Sequence, residues 1–355
     1  MIDLKLYGYT ENEKPPLGLL PGRITEQQRE LYTVITANGE VTAALTGSFY
    51  HSAKTSADIP CTGDFVFLRY NSSGPSLIMR LLPRRSVFSR ADFSGHTAEY
   101  AKTVLEQLVA ANFDFVFILS SLNKDFKISR ITRYLTQAWQ SGGQPVVILT
   151  KADLVEDIKT PVSAVQQGAI DVPVHALSVH TGFGLDALKG YLLPGKTAVF
   201  IGMSGVGKSS LLNTLMGQDV MAVKAIREDD SRGRHATTHR QLFMLPSGAL
   251  VIDTPGMREL GLFGADNGIS VAFARVEELF GHCRFSDCHH QSEPGCAVIA
   301  ALKDGSLSRE RWESYLSHKR ETAFVESKAD FLREKGEWQK SIAKFSKQYK
   351  KGPKR

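Results

Sequence analysis

Gly202-Met203-Ser204-Gly205-Val206-Gly207-Lys208-Ser209 fits the pattern G-x-x-x-x-G-K-[ST] and lies between an apolar run, Ala198 to Ile201, and a helix-forming run, Ser210 to Met216. The pattern works only in one local context, a strand that enters a glycine-rich turn and leaves it as a helix. The glycines let backbone N–H groups curl around phosphate, and the helix N-terminus adds its partial positive charge at the same place. Residues 202–210, Ser210 included, are therefore expected to bind nucleotide phosphates. Lys208 should reach the β- and γ-phosphates and Ser209 should ligate Mg²⁺.

Val251-Ile252-Asp253-Thr254-Pro255-Gly256 follows as an apolar strand ending in Asp-x-x-Gly. A carboxylate there can hold Mg²⁺ through water, and the Gly256 N–H can meet a γ-phosphate. Between the two phosphate motifs, Ala225 to Arg240 is rich in charge, contains Gly233, His235, Thr237 and Thr238, and has little apolar periodicity. It reads as a loop. A threonine hydroxyl that completes the Mg²⁺ shell only in the presence of the γ-phosphate would make this loop sense the nucleotide, with Thr237 or Thr238 as the candidates.

Thr150-Lys151-Ala152-Asp153 closes the apolar run Pro145 to Leu149. An aspartate placed there accepts two hydrogen bonds, from the N1–H and the exocyclic amine of guanine, while Lys151 packs along the base plane; adenine offers no such donor pair. Ala176-Leu177-Ser178-Val179, a second apolar strand end followed by His180 to Leu185, is similar to the loop that offers a backbone N–H to guanine O6 in GTPases, which places Ser178 and Val179 at the base. The base motif precedes the phosphate loop by about fifty residues, the reverse of the order in ordinary small GTPases. The domain is therefore expected to be circularly permuted. The region after Asp253 to Gly256 would then begin at the loop that responds to hydrolysis, and nucleotide state is expected to reposition it.

Around these motifs strands and helices alternate: helical Ala98 to Ala111, strand Phe113 to Leu119, helical Ile128 to Gln140 and strand Pro145 to Thr150. Such alternation gives a parallel sheet covered by helices. Upstream, Leu31 to Ala37, an Asn38-Gly39 turn, Val41 to Leu45, Asp64 to Tyr70 and Ser76 to Leu82 read as short strands, the first two a hairpin. A closed five-stranded barrel and a β-sandwich both suit that pattern.

The chain has 355 residues, more than one hydrophobic core ordinarily supports, so two or three domains are expected. No stretch reaches the roughly 18 uninterrupted apolar residues needed to span a bilayer, and the start is not that of a leader; a soluble, cytoplasmic protein with no membrane partner is expected, a monomer by default. Net charge is +6, and from Lys335 to Arg355 eight Lys/Arg face the single acid Glu337. That tail favours a polyanion, and charge alone does not choose between RNA, DNA and acidic lipid.

Three of the four cysteines, Cys283, Cys288 and Cys296, fall within fourteen residues. With a histidine they supply enough ligands for a closed, structural tetrahedral Zn²⁺ site, and His282, His289 and His290 are all near enough to complete it. Lone Cys61 reads as a small buried apolar residue. Trp312, Tyr315, Trp338 and Tyr349 are candidates for stacking on bases, with packing expected for at least the first two.

The order of the motifs, together with Gly233-Arg234-His235-Ala236-Thr237-Thr238-His239-Arg240 and Glu293-Pro294-Gly295-Cys296-Ala297-Val298, resembles ribosome small subunit-dependent GTPase A, a permuted bacterial GTPase family, over roughly residues 31–320. The resemblance implies a multidomain α/β chain: an extension over 1–30, an OB-type β-barrel over 31–90, a circularly permuted P-loop GTPase domain over 91–265, and a zinc-binding, mostly helical region with a basic tail over 266–355. It makes Leu82 to Arg90 the link between barrel and GTPase, and His290 the fourth zinc ligand. It also implies GTP, Mg²⁺ and one structural Zn²⁺ as ligands, with the small (30S) ribosomal subunit and its rRNA as partners. GTP hydrolysis would then serve as a late assembly and release checkpoint stimulated by that subunit.

Two departures stand out: Thr150 replaces the Asn of many GTPases, and Ala236 interrupts the more usual run of three threonines. Met257, next after Asp-Thr-Pro-Gly, cannot orient water as the glutamine of Ras-like enzymes does. Slow intrinsic hydrolysis is expected, with His235, as the resemblance implies, positioning water beside Lys208 and Thr238 in the catalytic set. The rival reading is a non-catalytic RNA-binding protein that senses guanine nucleotides; an adenine-specific P-loop enzyme is disfavoured by Asp153.

Overall fold

A computed structural model describes residues 1–10, 13–28, 30–53, 55–92, 105–123, 126–169, 171–221, 240–254, 261–262, 264–325 and 327. His235, Thr237, Thr238, Gly256 and Met257 lie outside the described residues, as do Trp338, Tyr349 and the basic tail.

The amino-terminal unit is a closed five-stranded barrel. Strands β1 (Leu20–Gln28), β2 (Leu31–Thr36), β3 (Gly39–Leu45), β4 (Phe65–Arg69) and β5 (Ser76–Leu81) run in the order β1-β2-β3-β5-β4, and β1 pairs with β4 to close the ring. Closure removes the free edges a sandwich would leave, and β3–β5 is the parallel pair. Period-two alternation fills the interior with Ile24, Tyr32, Val34, Ala43, Leu45, Val66, Leu68 and Ile78. A six-residue helix, α1 (Gly47–Ser52), capped by the Thr46 hydroxyl, joins β3 to β4.

The barrel begins before residue 31. Its first strand carries Pro21, Gly22 and Arg23, letters that read as a turn followed by a charge. Gly22 is needed there because a Cβ would stand 2.5 Å from Val34 Cγ1 and 3.0 Å from the Ile35 carbonyl oxygen.

Next comes a hairpin, β6 (Val87–Asp92) and β7 (Leu105–Ala111), paired antiparallel. The helix expected over Ala98 to Ala111 is therefore a strand from Leu105 onward. Leu, Glu, Gln and Ala favour helix weakly, and β-pairing outweighs that preference.

The GTPase sheet follows: β8 (Phe115–Ser121), β9 (Gln144–Thr150), β10 (Val174–Ala176), β11 (Thr197–Ile201), β12 (Gln241–Met244) and β13 (Leu250–Asp253). Its order is β10-β9-β8-β11-β13-β12, parallel except for β12. Helices α2 (Ile128–Gln140), α3 (Lys159–Gly168) and α4 (Lys208–Met216) connect or cover these strands. The strand that feeds the phosphate loop, β11, is fourth along this domain but central in the sheet, which is the permutation in structural form. One residue pair, Glu26↔Gln241, joins β1 to β12, so barrel and GTPase share a continuous eleven-stranded sheet.

Among the described residues the C-terminal region contains α5 (Asp266–Ala272), α6 (Ala274–Glu278), α7 (Ala297–Asp304) and a further helix, α8, over 309–325. Ile269, Phe273, Val276, Val298, Ala301, Leu307 and Tyr315 form its small core, with Trp312 packed against it. Trp312 and Tyr315 stack on each other at 5.5 Å, the packing role expected of them.

Candidate nucleotide site and metal knuckle

The phosphate loop sits at the carboxyl ends of the parallel strands, where open α/β sheets place their ligands. Gly202 follows β11 at φ +148°, and a Cβ there would stand 2.5 Å from the Leu119 carbonyl oxygen. Gly207, at φ +99°, caps α4. Lys208 is buried, and its Nζ donates to the Gly202 and Met203 carbonyl oxygens, both at 2.8 Å. The ammonium is thus aimed along the inner rim of the loop. Ser209 and Ser210 form the first turn of α4, and Met203, Ser204, Gly205 and Val206 make the loop itself.

Asp253 ends β13 alongside Phe200 of β11. It is 3% exposed, and its Oδ1 has no hydrogen-bond partner among the described residues. Burial pushes its carboxyl up to about 6, against the opposing pull of Lys208, whose own pKa burial lowers to about 8. A buried, orphaned carboxylate oxygen beside a phosphate loop has the character of a group that awaits a cation. The carboxyl is protonated below about pH 6, and only its ionised form could hold Mg²⁺. Mg²⁺–nucleotide affinity should therefore weaken about tenfold per pH unit below 6. Titration calorimetry between pH 5 and 7.5 measures this; a slope equal to that of Asp253→Asn, which reports only the ligand's own titration, would remove Asp253 from the coordination.

The base side is tied to the phosphate side by Thr150. Its hydroxyl donates to the Val206 carbonyl oxygen at 2.6 Å, and the residue is 2% exposed. The hydroxyl is therefore committed to the phosphate loop, a donor role that the amide of an Asn has the chemistry to fill as well. Thr150→Val keeps the shape and loses the donor, so nucleotide affinity should fall about tenfold while Thr150→Asn stays near wild type. Equal affinity for Thr150→Val in a fluorescent-nucleotide assay would discount the bond.

Lys151 adopts the left-handed conformation at φ +59°, and the Ala152 N–H donates to the Leu177 carbonyl oxygen. This swings Asp153 to an exposed position beside the second base loop. The Ser178 hydroxyl, with lesser contributions from His180 and Lys151, holds the Asp153 carboxyl below the usual carboxylate range. The loop over 178–184 is closed by Ser178 N–H to the Phe183 carbonyl at 2.9 Å and Gly182 N–H to the Ser178 carbonyl at 3.0 Å. Gly184 ends it at φ +73°, where a Cβ would lie 2.2 Å from the Ala176 carbonyl oxygen. Thr150, Lys151, Asp153, Ser178 and Val179 thus stand on two adjacent strand ends, β9 and β10.

Two anchors were not singled out in the sequence. Asn213, in α4, accepts from the N–H groups of Val220 and Met221 and donates to the Met221 carbonyl, so it fixes the chain just before residue 222. The only signal available was a polar residue on the inner face of an apolar helix. Arg240 is the first described residue after 221; its Nη1 donates to the Leu108 carbonyl, and its own carbonyl accepts from the Thr62 hydroxyl.

In the C-terminal region Cys283, Cys288, His290 and Cys296 bring their ligand atoms within 4.8 Å of one another. Cys283 Sγ lies 3.6 Å from His290 Nδ1 and 4.0 Å from Cys296 Sγ, and Cys296 Sγ lies 3.5 Å from His290 Nδ1. His290 is turned inward by a left-handed backbone, φ +57°, and its ring stacks on Phe280 at 4.3 Å. Glu293 accepts N–H bonds from His289, Gln291 and Ser292, which closes the loop between the second and fourth ligands; its own backbone N–H, then these three, hold its carboxyl down at about 2. These four residues can hold a metal ion. Cys61 stands apart and is buried, as expected.

A phosphate loop, an Asp-terminated strand beside it and a base motif on the neighbouring strand ends, reached in permuted order, define a circularly permuted P-loop GTPase. A family model described as RsgA GTPase matches residues 81–263. The chain is 45% identical over 327 residues to the small ribosomal subunit biogenesis GTPase RsgA 2 of Lactiplantibacillus plantarum, covering 91% of this chain and 90% of that one. It is likewise 45% identical over 325 residues to RsgA 2 of Listeria monocytogenes, covering 90% of each. Among solved structures, YjeQ from Thermotoga maritima aligns with TM-score 0.59 at 24% identity, over 84% of this chain and 96% of its own. YloQ, a circularly permuted GTPase, aligns with TM-score 0.55 at 23% identity, over 90% of this chain and 98% of its own. The chain belongs to the RsgA GTPase family.

Proposed function

We propose that this protein hydrolyses GTP to GDP and phosphate on the small (30S) ribosomal subunit, as a late step of that subunit's assembly, and that the subunit stimulates the reaction and is released by it. The observation that carries this reading is the bond from Thr150 to the Val206 carbonyl, which locks a guanine motif and a phosphate loop into one site. The names of the 45%-identical relatives support the ribosomal partner.

In the proposed site residues 202–210 cradle the phosphates, Lys208 neutralises charge that grows on them, and Asp153 with Lys151, Ser178 and Val179 reads guanine. Ser209, Asp253 and Thr237 or Thr238 would hold Mg²⁺, whose charge supports the β- and γ-phosphate oxygens when bound; the orphaned Asp253 Oδ1 fits that role. His235 positions the attacking water, and Gly256 offers its N–H to the γ-phosphate. The protein acts as a cytoplasmic monomer, and no helix among the described residues is long and apolar enough to cross a membrane.

The metal is zinc in this reading. Thiolate bonds of about 2.3 Å and imidazole bonds of about 2.05 Å at tetrahedral angles put ligand atoms about 3.5–3.8 Å apart. The separations of 3.5, 3.6 and 4.0 Å accord with that set. Native mass spectrometry should find one zinc per chain, lost in Cys296→Ser; a chain with no bound metal, or with iron, would reject the assignment.

The deciding experiment is GTP hydrolysis by the purified protein alone, with small subunits and with large subunits, with Lys208→Ala as the blank. Stimulation by small subunits only is expected, and His235→Ala should bind GTP normally yet lose it. No stimulation despite intact GTP binding would turn the protein into a nucleotide-sensing RNA binder.

A further inference from the structure

Buried polar atoms without a partner are rare, since each gives up the hydrogen bonds it had in water. Four side-chain atoms are in that position among the described residues: Asp253 Oδ1, in the nucleotide site, and Gln137 Oε1, His318 Nδ1 and Thr322 Oγ1. The last three belong to one seam. Arg133, Thr136, Gln137 and Gln140 share a face of α2, at the three- and four-residue spacing of helical neighbours. That face meets α5, where the Gly268 N–H donates to Gln140 Oε1 at 3.0 Å and a Cβ on Gly268 would stand 2.0 Å from the Thr136 carbonyl oxygen. It also meets α8, whose His318, Glu321 and Thr322 lie within little more than one turn.

Two described contacts fasten α8 to the GTPase body: Arg311, near its start, whose Nη1 donates to the Gly168 carbonyl of α3 at 2.7 Å, and Glu321, on the seam with α2. The carboxylate pairs with Arg133 of α2, and the same Oε1 accepts the N–H of Leu262 at 3.1 Å. Leu262 lies on the segment that leaves the Asp253 strand for the C-terminal region, so three parts of the molecule converge on one carboxylate. Around it the fit is imperfect. Gln137 is 1%, His318 3% and Thr322 1% exposed, and each keeps a polar atom unanswered. Burial, with Arg133 nearby, pushes His318 down to about 4, so the ring is neutral at ordinary pH and offers Glu321 no second cation. An interface meant to stay shut would be expected to carry apolar side chains at these places, as the C-terminal region's own core does at Phe273 and Val276, both fully buried.

We propose that α8 is a detachable clasp on the GTPase body, held near its start by Arg311 and latched on the α2 seam by Glu321, and kept close to opening there by the three polar groups that find no partner among the described residues, through which the metal-bearing region undocks and redocks. That nucleotide state drives the movement rests on the GTPase reading; the clasp itself does not. Glu321 is a positioning residue: it holds the chain that leaves the Asp253 strand and touches no nucleotide.

Hydrogen exchange on the full-length, metal-loaded protein with GDP bound tests the clasp directly. Glu321→Gln keeps an acceptor for Leu262 and discards the ion pair, and exchange across 309–325 should quicken about tenfold while α4 is unchanged. Thr322→Val removes the unanswered hydroxyl and keeps the shape, so exchange over the same helix should slow about fivefold. Faster exchange in Thr322→Val, or no change in Glu321→Gln, overturns the proposal. Because no turnover is read, the two ideas fail separately. Shifted exchange without any GTP hydrolysis would retain the clasp and reject the functional reading, and stimulated hydrolysis with unshifted exchange would do the reverse.

Discussion

Asp153→Asn should cost on the order of 10³-fold or more in GTP affinity and turn the site towards xanthine nucleotides. The two carboxylate oxygens of Asp153 match the N1–H and exocyclic amine of guanine, donor for acceptor. An amide offers one acceptor and one donor, so its NH₂ group meets the guanine amine with like polarity, and sites built on such pairing reject a mismatched partner by 10⁴–10⁵, on the order of the largest single-contact discriminations. Xanthine replaces that amine with a carbonyl and restores both bonds. Asp153 is exposed and hydrogen-bonded by Ser178, so the substitution leaves the core untouched. Competition between GTP and XTP for the variant is the measurement; unchanged GTP preference would mean that the base lies elsewhere.

Arg23→Leu should destabilise the protein by about 3–5 kcal/mol, near the upper end for one substitution. Arg23 is fully buried at the junction of four segments. Its Nη1 donates to the Tyr7 carbonyl at 2.6 Å and the Thr197 hydroxyl at 3.0 Å, Nη2 to the Asn112 carbonyl at 2.8 Å, and Nε to the Gly63 carbonyl at 3.2 Å. Its guanidinium also lies 4.9 Å from the centre of the Phe65 ring. Burial pushes its pKa down to about 9, which still leaves it charged at neutrality. Leucine would fill much of the volume and abandon every acceptor. Lysine would answer only part of them, because its donors radiate from one point while the guanidinium fork spans several. The first urea transition should move down by about 1 M or more, with Arg23→Lys in between. A midpoint within a few tenths of a molar of wild type would show that water replaces the fork.

Much of this architecture was open to a reader of the sequence, for identifiable reasons. The phosphate loop and α4 were legible because phosphate binding fixes residue types at fixed spacing, and α2 was found at its observed limits, Ile128–Gln140, because one face is apolar at helical period. The barrel strands from Leu31 on were visible through alternation and the Asn38-Gly39 turn. β1 was not, since its Gly22 lies where a Cβ would stand 2.5 Å from Val34 Cγ1, and a strand that staples two domains needs a charge where alternation calls for an apolar residue. β7 was missed for the opposite reason. Its letters Leu, Glu, Gln and Ala favour helix weakly, and the partner that makes them a strand, β6, lies across a stretch of chain that no local pattern bridges. In the site the cluster of Cys283, Cys288, His290 and Cys296 was legible as a short local pattern. The clasp at Glu321 was not, because its three participants, residues 133, 262 and 321, are brought together only by tertiary structure.

The single rung between Glu26 and Gln241 bears on how this chain can be divided. A fragment that starts after the barrel would lose the cover along β12 and leave the rim of the GTPase sheet bare, a ready template for a stray strand from another copy. A fragment cut at residue 31 would in addition deprive the ring of the strand that closes it, opening β4 to the same hazard. The useful boundaries for taking this protein apart are therefore not the gaps between its domains as they follow one another along the chain. β1 belongs to two of them at once, and truncations that spare it should remain soluble where those that remove it aggregate.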